Sequence, residues 1–302
     1  MDFITIRDKS REELDIIMDR ARSMEKFRNR GKDSARGLLL GTLFFEPSTR
    51  TRLSFQAAMK RLGGDTVGFS SKQGTSVQKG ETLADTLRTV EQYVDILVTR
   101  HPSEGSARLA SELLEIPVIN GGDGSANHPT QTLLDLYTIR KELGEIDGKT
   151  ITLAGDLRYS RTTRSLSRAL TRYDVELILH SPEQLRMKDD LLLELENAGL
   201  TPKETEDLES SMRESDLVYA TRIQKERFPE VAEYRKVADA YKIDRDLLER
   251  SGDPVLLHPL PRVNEVDTDV DELDNAVFFE QAGNGVPVRM ALISTLLDLS
   301  DR

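Results

Sequence analysis

Residues 44–52 read Phe44-Phe45-Glu46-Pro47-Ser48-Thr49-Arg50-Thr51-Arg52. The apolar run Leu38 to Phe45 stops there, and a helical pattern runs from about Thr49 to Leu62, where Gly63-Gly64 ends it. A helix start carries unpaired backbone N–H groups and the positive end of the macrodipole, so an anion such as phosphate is favoured at Ser48-Thr49-Arg50-Thr51. Ser and Thr are also ordinary N-caps. Two arginines in the first turn oppose the dipole, however, and that points to an anionic ligand that compensates them.

Outward from this stretch, strand-like and helix-like patterns alternate. Ser10 and Glu13 form a capping-box signature before apolar residues at helical spacing, Leu14, Ile17, Ala21 and Met24. Strands are predicted at 66–69, 95–99 and 118–120, and helices at 81–93, 106–114 and 130–143. Gly144 to Gly148 breaks the pattern, after which strands are predicted at 150–154, 175–179, 216–220 and 255–258 with helices between them. The amphipathic stretch Val288 to Leu299 is expected to pack back on the first half. The pattern predicts an α/β protein of two similar-sized domains, each a parallel sheet flanked by helices.

Composition narrows the chemistry. With 302 residues, two domains fit the usual prior of roughly 100–200 residues each. No long apolar run or secretory leader is visible, so the expectation is a cytoplasmic protein without a membrane partner. The chain has no cysteine, which excludes disulfides, thiolate metal ligands and thiol catalysis. A formal net charge of -11 argues against nucleic acid as a partner. Four histidines scattered in sequence support no zinc site, and neither metal nor organic cofactor is expected.

Two further strand ends are chemically loaded. Arg100-His101-Pro102 follows the strand at 95–99, where parallel sheets bind ligands. Gly121-Gly122-Asp123-Gly124-Ser125-Ala126-Asn127-His128-Pro129-Thr130-Gln131 follows the next strand; its glycines permit close backbone approach, and Pro129 suits a first helical turn. His128 and Gln131 would then face one pocket. Taken singly, Arg100 also reads as a solvated loop arginine and His128 as a loop residue; convergence of three strand ends favours a shared anion site. Gly74 to Glu81 is a polar loop with one lysine, Lys79, which by itself reads as a solvated charge. Gly155-Asp156-Leu157-Arg158-Tyr159-Ser160-Arg161 is another strand end opening a helix, and it lacks the dinucleotide fingerprint.

The segments Phe45 to Arg52, Arg100-His101-Pro102 and His128-Pro129-Thr130-Gln131 together resemble the carbamoyl-phosphate site of the transcarbamoylases, and the resemblance spans the whole chain. It implies a carbamoyl-phosphate-binding domain over 1–143, with 286–302 returning to it, and an amino-acid-binding domain over 144–285. It implies that Ser48, Thr49, Arg50 and Thr51 bind phosphate, and that Arg100, His128 and Gln131 hold the carbamoyl group. Leu260 and Pro261 match the family position whose backbone carbonyls meet the carbamoyl amino group and the incoming amine. Ser76 and Lys79 match a loop that reaches a neighbouring subunit's site, which implies a homotrimer. Some members of the family also bind separate regulatory chains, while others work as bare trimers.

Two branches share the phosphate motif. The ornithine branch carries a His-Cys-Leu-Pro segment and a Ser-Met-Gly motif, whereas this chain reads His258-Pro259-Leu260-Pro261-Arg262 and has no cysteine. Arg161, Arg222 and Gln224 resemble the aspartate clamp of the other branch, and with Lys79 they suit a dicarboxylate and repel a cationic side chain. The resemblance implies transfer of a carbamoyl group to aspartate, an early step of pyrimidine biosynthesis. Catalytic roles would fall to Arg50, Arg100, His128 and Lys79.

Overall fold

The computed structural model describes residues 1–73, 75–124, 127–223, 237 and 241–299. The chain forms two compact units, Met1–Tyr137 with Asn284–Arg302, and Thr138–Gly283.

In the first unit, α1 (Arg11–Met24) starts at the full capping box of Ser10 and Glu13 and buries the Leu14, Ile17, Met18, Ala21 and Met24 face. The alternation then runs β1 (Leu39–Phe44), α2 (Thr49–Arg61), β2 (Asp65–Phe69), α3 (Leu83–Glu91), β3 (Ile96–His101), α4 (Ser106–Leu113), β4 (Val118–Asp123) and α5 (Pro129–Leu143). All pairings are parallel, in the order β2-β1-β3-β4. The central strands β1 and β3 are nearly continuous apolar runs, as a sheet covered on both faces demands, with Leu40, Ile96 and Val98 inaccessible to solvent.

The second unit runs β5 (Lys149–Gly155), α6 (Arg161–Leu170), β6 (Val175–His180), α7 (Asp189–Asn197), β7 (Lys203–Thr205), α8 (Leu208–Arg213), β8 (Leu217–Thr221), α9 (Arg245–Arg250) and β9 (Val255–Leu257). Its parallel sheet has the order β7-β6-β5-β8-β9. The last helix, α10, spans Phe278–Leu296 with Pro287 inside it. It starts about ten residues before the amphipathic stretch expected from sequence, because Gly283, Gly285 and Pro287 read as helix breakers. From Asn284 onward α10 belongs to the first unit, where Arg20 Nη1 donates to Thr295 Oγ1 at 3.1 Å.

Strand order decides where ligands can sit. In each sheet the winding reverses once, between β1 and β3 in the first and between β5 and β8 in the second. At such a switch point the adjacent loops leave in opposite directions and open a crevice at the strands' carboxyl ends. The segments entering from those four ends are 45–48, 102–105, 156–160 and the one beginning at Arg222. Ser48 and Arg222 lie in these segments, while Thr49 to Thr51, Arg100 and Arg161 lie directly beside them.

Candidate active site

At the first switch point, Ser48 occupies the N-cap position of α2, but its side chain makes no cap hydrogen bond and the first turn holds no acidic residue. By contrast α1 has Glu12 and Glu13 in its first turn and a bonded Ser10 cap. Unlike Ser10, Ser48 spends no side-chain bond on its helix end, and no acidic side chain in the first turn of α2 offsets the positive end of the macrodipole. Thr49 and Arg50 are exposed, while Thr51 is buried.

Arg100 ends up 6% exposed and His128 5% exposed. Arg100 Nη1 donates to Gly121 O at 3.2 Å, and its Nη2 pairs with Glu46 Oε1 at 3.4 Å. A β-bulge next to Arg100 sets this geometry, since Thr99 pairs with Asn120 but His101 pairs with Asp123. Asn120 ties the bulge down, donating to Asp123 Oδ1 at 2.9 Å and accepting from Gly122 N at 2.8 Å. Gly122 takes φ +120 there, a conformation that L side chains rarely adopt.

Thr51 Oγ1 and Arg100 Nη1 both approach His128 Nε2 at 3.5 Å, the long limit of hydrogen bonding. A guanidinium has only donors, so in this contact Arg100 can only donate toward Nε2. Gln131, one turn into α5, donates from Nε2 to Asp135 Oδ1 at 2.9 Å.

At the second switch point Arg161 is the first residue of α6, whose N-cap Ser160 accepts from Thr163 N. Arg222 directly follows β8, and both arginines are partly exposed. Asp156, fully buried, accepts from Tyr159 N at 2.8 Å and braces the turn between β5 and α6. Tyr241 closes the strand ends: its hydroxyl bonds to Thr221 O, and Thr221 N donates to it at 3.2 Å. Burial and the Glu265 charge push that hydroxyl's pKa well above the usual tyrosine range, so it stays a donor.

Leu260 and Pro261 lie beyond β9 in a loop with a cis Leu260-Pro261 bond and φ +56 at Leu260. Leu260 N donates to His258 Nδ1 at 2.8 Å, which leaves the ring proton on Nε2 for Glu265 Oε1 at 2.8 Å. His258 N in turn donates to Gln281 Oε1 at 2.9 Å. Burial alone would raise the Glu265 carboxyl; bonds from His258 and from the Val263 and Glu265 amides outweigh it and hold the carboxyl below its ordinary value.

Ser76 and Lys79 sit exposed on a 3-10 turn, Ser76–Lys79, and none of the described hydrogen bonds joins them to Arg100 or His128. Gln224, Gly74, Ser125 and Ala126 lie outside the described residues. Among the described residues no group of three His, Asp or Glu side chains could hold a metal ion, and no helix is long and apolar enough to cross a membrane.

Two family models match the chain: an aspartate/ornithine carbamoyltransferase carbamoyl-P binding domain over residues 1–141, and the corresponding Asp/Orn binding domain over 147–296. The chain belongs to the aspartate/ornithine carbamoyltransferase family. It is 54% identical over 299 residues to the aspartate carbamoyltransferase catalytic subunit of Thermococcus gammatolerans, covering 98% of this chain and 97% of that one. It is 50% identical to the catalytic subunit of Haloquadratum walsbyi, with 95% of each covered. Among solved structures, the catalytic subunit of M. jannaschii aspartate transcarbamoylase superposes with a TM-score of 0.92 at 48% identity, covering 98% of both chains. Trypanosoma cruzi aspartate transcarbamoylase, solved in complex with carbamoyl phosphate and aspartate, gives 0.91 at 37% identity, covering 97% of this chain and 95% of that one.

Sequence reasoning missed several carbamoyltransferase residues that position the others: Glu46 beside Arg100, Asp135 beneath Gln131, and Glu265 behind His258. One signal was present for Asp135. It is a lone charge in the apolar run Leu133-Leu134-Asp135-Leu136-Tyr137, and such a charge is rarely buried without a partner.

Proposed function

We propose that this chain is the catalytic chain of an aspartate carbamoyltransferase, moving the carbamoyl group of carbamoyl phosphate to the amino group of L-aspartate. The observation that carries the choice of acceptor is the charge at the second switch point, where Arg161 and Arg222 follow β5 and β8. Two guanidinium groups suit the paired carboxylates of aspartate and oppose the side-chain ammonium of ornithine.

In this reading, Ser48, Thr49, Arg50 and Thr51 hold the phosphate of carbamoyl phosphate in the first unit, and Arg100, His128 and Gln131 hold its carbamoyl group. Arg161, Arg222 and Gln224 hold aspartate in the second unit, with the Leu260 and Pro261 carbonyls facing the amine. The deprotonated α-amino nitrogen attacks the carbamoyl carbon and forms a C–N bond. The carbonyl electrons move to oxygen, and Arg50, Arg100 and His128 stabilise that oxyanion. Collapse breaks the C–O bond to phosphate, which leaves with the electron pair, and nitrogen gives up one proton. Products are N-carbamoyl-L-aspartate and phosphate, consistent with an early step of pyrimidine biosynthesis in the cytoplasm. Positioning is worth up to about 7–11 kcal/mol in such reactions, and each oxyanion donor about 2.7–4 kcal/mol.

Ser76 and Lys79, exposed on their turn, are proposed to complete a neighbouring subunit's site in a homotrimer. The test is a product assay with carbamoyl phosphate and either L-aspartate or L-ornithine. Carbamoylaspartate formation with no measurable citrulline supports the reading; citrulline as the main product overturns it. Mixed trimers of Lys79→Ala and Arg50→Ala chains should regain activity that neither parent has, and mixtures that stay inactive refute the shared site.

A further inference from the structure

Beneath Gln131 lie two buried charged residues, Asp135 and Arg289. Asp135 is 0% exposed and Arg289, on α10, is 2% exposed. Asp135 takes the Gln131 amide nitrogen at 2.9 Å, and its charge opposes the effect of burial on Arg289, whose pKa burial lowers to about 10. At that value Arg289 remains charged at neutral pH. Its guanidinium carbon lies 4.9 Å from the ring centroid of Phe55 on α2. Gly285 leaves the space that Arg289 fills, since a Cβ there would stand 2.2 Å from Arg289 Nη1. All of these residues belong to the first unit.

The chemistry of the pair fixes more than stability. In the structure the Asp135 carboxylate takes the acceptor role toward Gln131, with Oδ1 2.9 Å from the amide nitrogen, and an ionised carboxylate can only accept. Gln131 must therefore turn its NH₂ group toward Asp135, and its carbonyl oxygen becomes the end available to a ligand. A neutral carboxylic acid or an amide at 135 could donate instead, and would let the Gln131 amide turn over. A carbonyl acceptor selects a ligand that donates, and the carbamoyl NH₂ is a donor where a methyl group of the same size is not.

The geometry points to Asp135 and Arg289 as positioning residues that make Gln131 discriminate a carbamoyl group from an acetyl group. The inference rests on the reading that Gln131 meets the carbamoyl end of the donor substrate. Neither residue touches substrate; both act through the orientation of one amide.

Calorimetric titration with phosphonoacetamide and 2-oxopropylphosphonate tests it, because these stable probes differ only by NH₂ against CH₃. Inorganic phosphate serves as the control for the anion end. Wild-type chain should bind the amide at least about tenfold more tightly than the ketone. In Asp135→Asn the preference should fall to within roughly threefold while phosphate affinity is retained, and adding Gln131→Met should lower the preference no further. A purely structural role would weaken phosphate binding and leave the ratio alone. If Asp135→Asn does not fold, Arg289→Gln removes the buried positive charge that acts on Asp135 and should lose the same preference. An undiminished preference in the folded variant overturns the inference. Wild-type chain that binds none of the three probes overturns the underlying reading of the site instead.

Discussion

Gly155 is the last residue of β5, with φ +111, and a Cβ there would lie 2.3 Å from Thr221 O and 2.5 Å from Tyr241 Oη. Ordinary carbon–oxygen contacts are more than about 3 Å, so Gly155→Ala must drive the end of β8 away by roughly an ångström. That carbonyl accepts the Tyr241 hydroxyl, so the movement also disturbs a buried hydrogen bond. Holding a non-glycine residue in this conformation costs on the order of 1–3 kcal/mol. Overpacking adds about 1–3 kcal/mol. The sum, about 2–6 kcal/mol, is a large part of a typical domain's stability and should lower Tm by on the order of 10 °C. Because Arg222 is the residue after Thr221, KM for aspartate should rise while affinity for carbamoyl phosphate, held in the other unit, stays within about twofold. Urea unfolding and steady-state kinetics check both parts. A Gly155→Ala chain within about 1 kcal/mol of wild type and with normal aspartate KM would refute the close-approach argument.

Burial lowers the His180 imidazole to about 4 from its ordinary 6.5, outweighing the nearby Asp207 charge. The unfolded chain takes up this proton as pH falls below about 6.5 and the folded chain does not until about 4, so stability is full above 6.5 and declines by about 3 kcal/mol across that window. Urea midpoints at pH 7 and pH 4.5 should show a smaller drop for His180→Leu than for wild type; equal drops would show that His180 does not contribute. Removing the carboxylate in Glu265→Ala strands the His258 Nε2–H donor and should cost about 3–5 kcal/mol, whereas Glu265→Gln keeps an acceptor and should cost less. Comparable losses in the two variants, measured by denaturant unfolding, would count against the hydrogen-bonded clamp.

The sequence made most strands and the segments proposed to bind phosphate legible because a doubly covered parallel sheet writes its strands as apolar runs, and each run here ends in polar, glycine-rich or basic residues. β7 escaped notice, since Lys203–Thr205 is a three-residue edge strand with no apolar pattern. Strand order was likewise invisible, yet it is what places Ser48 and Arg100 at one reversal and Arg161 and Arg222 at the other. Long-range pairs such as Arg100 with Glu46, or Arg289 with Asp135, leave no local periodicity; only a lone charge inside an apolar run hints at them. The bulge between β3 and β4 depends on register, which periodicity does not encode.

The central claim is that each sheet's switch point receives one substrate, the first taking carbamoyl phosphate. Calorimetric binding of carbamoyl phosphate to wild type, Arg50→Ala and Arg222→Ala tests it most directly. Binding should be lost or weakened at least about a hundredfold in Arg50→Ala and remain within about twofold in Arg222→Ala. Unchanged binding in folded Arg50→Ala, or binding lost in Arg222→Ala, would contradict it.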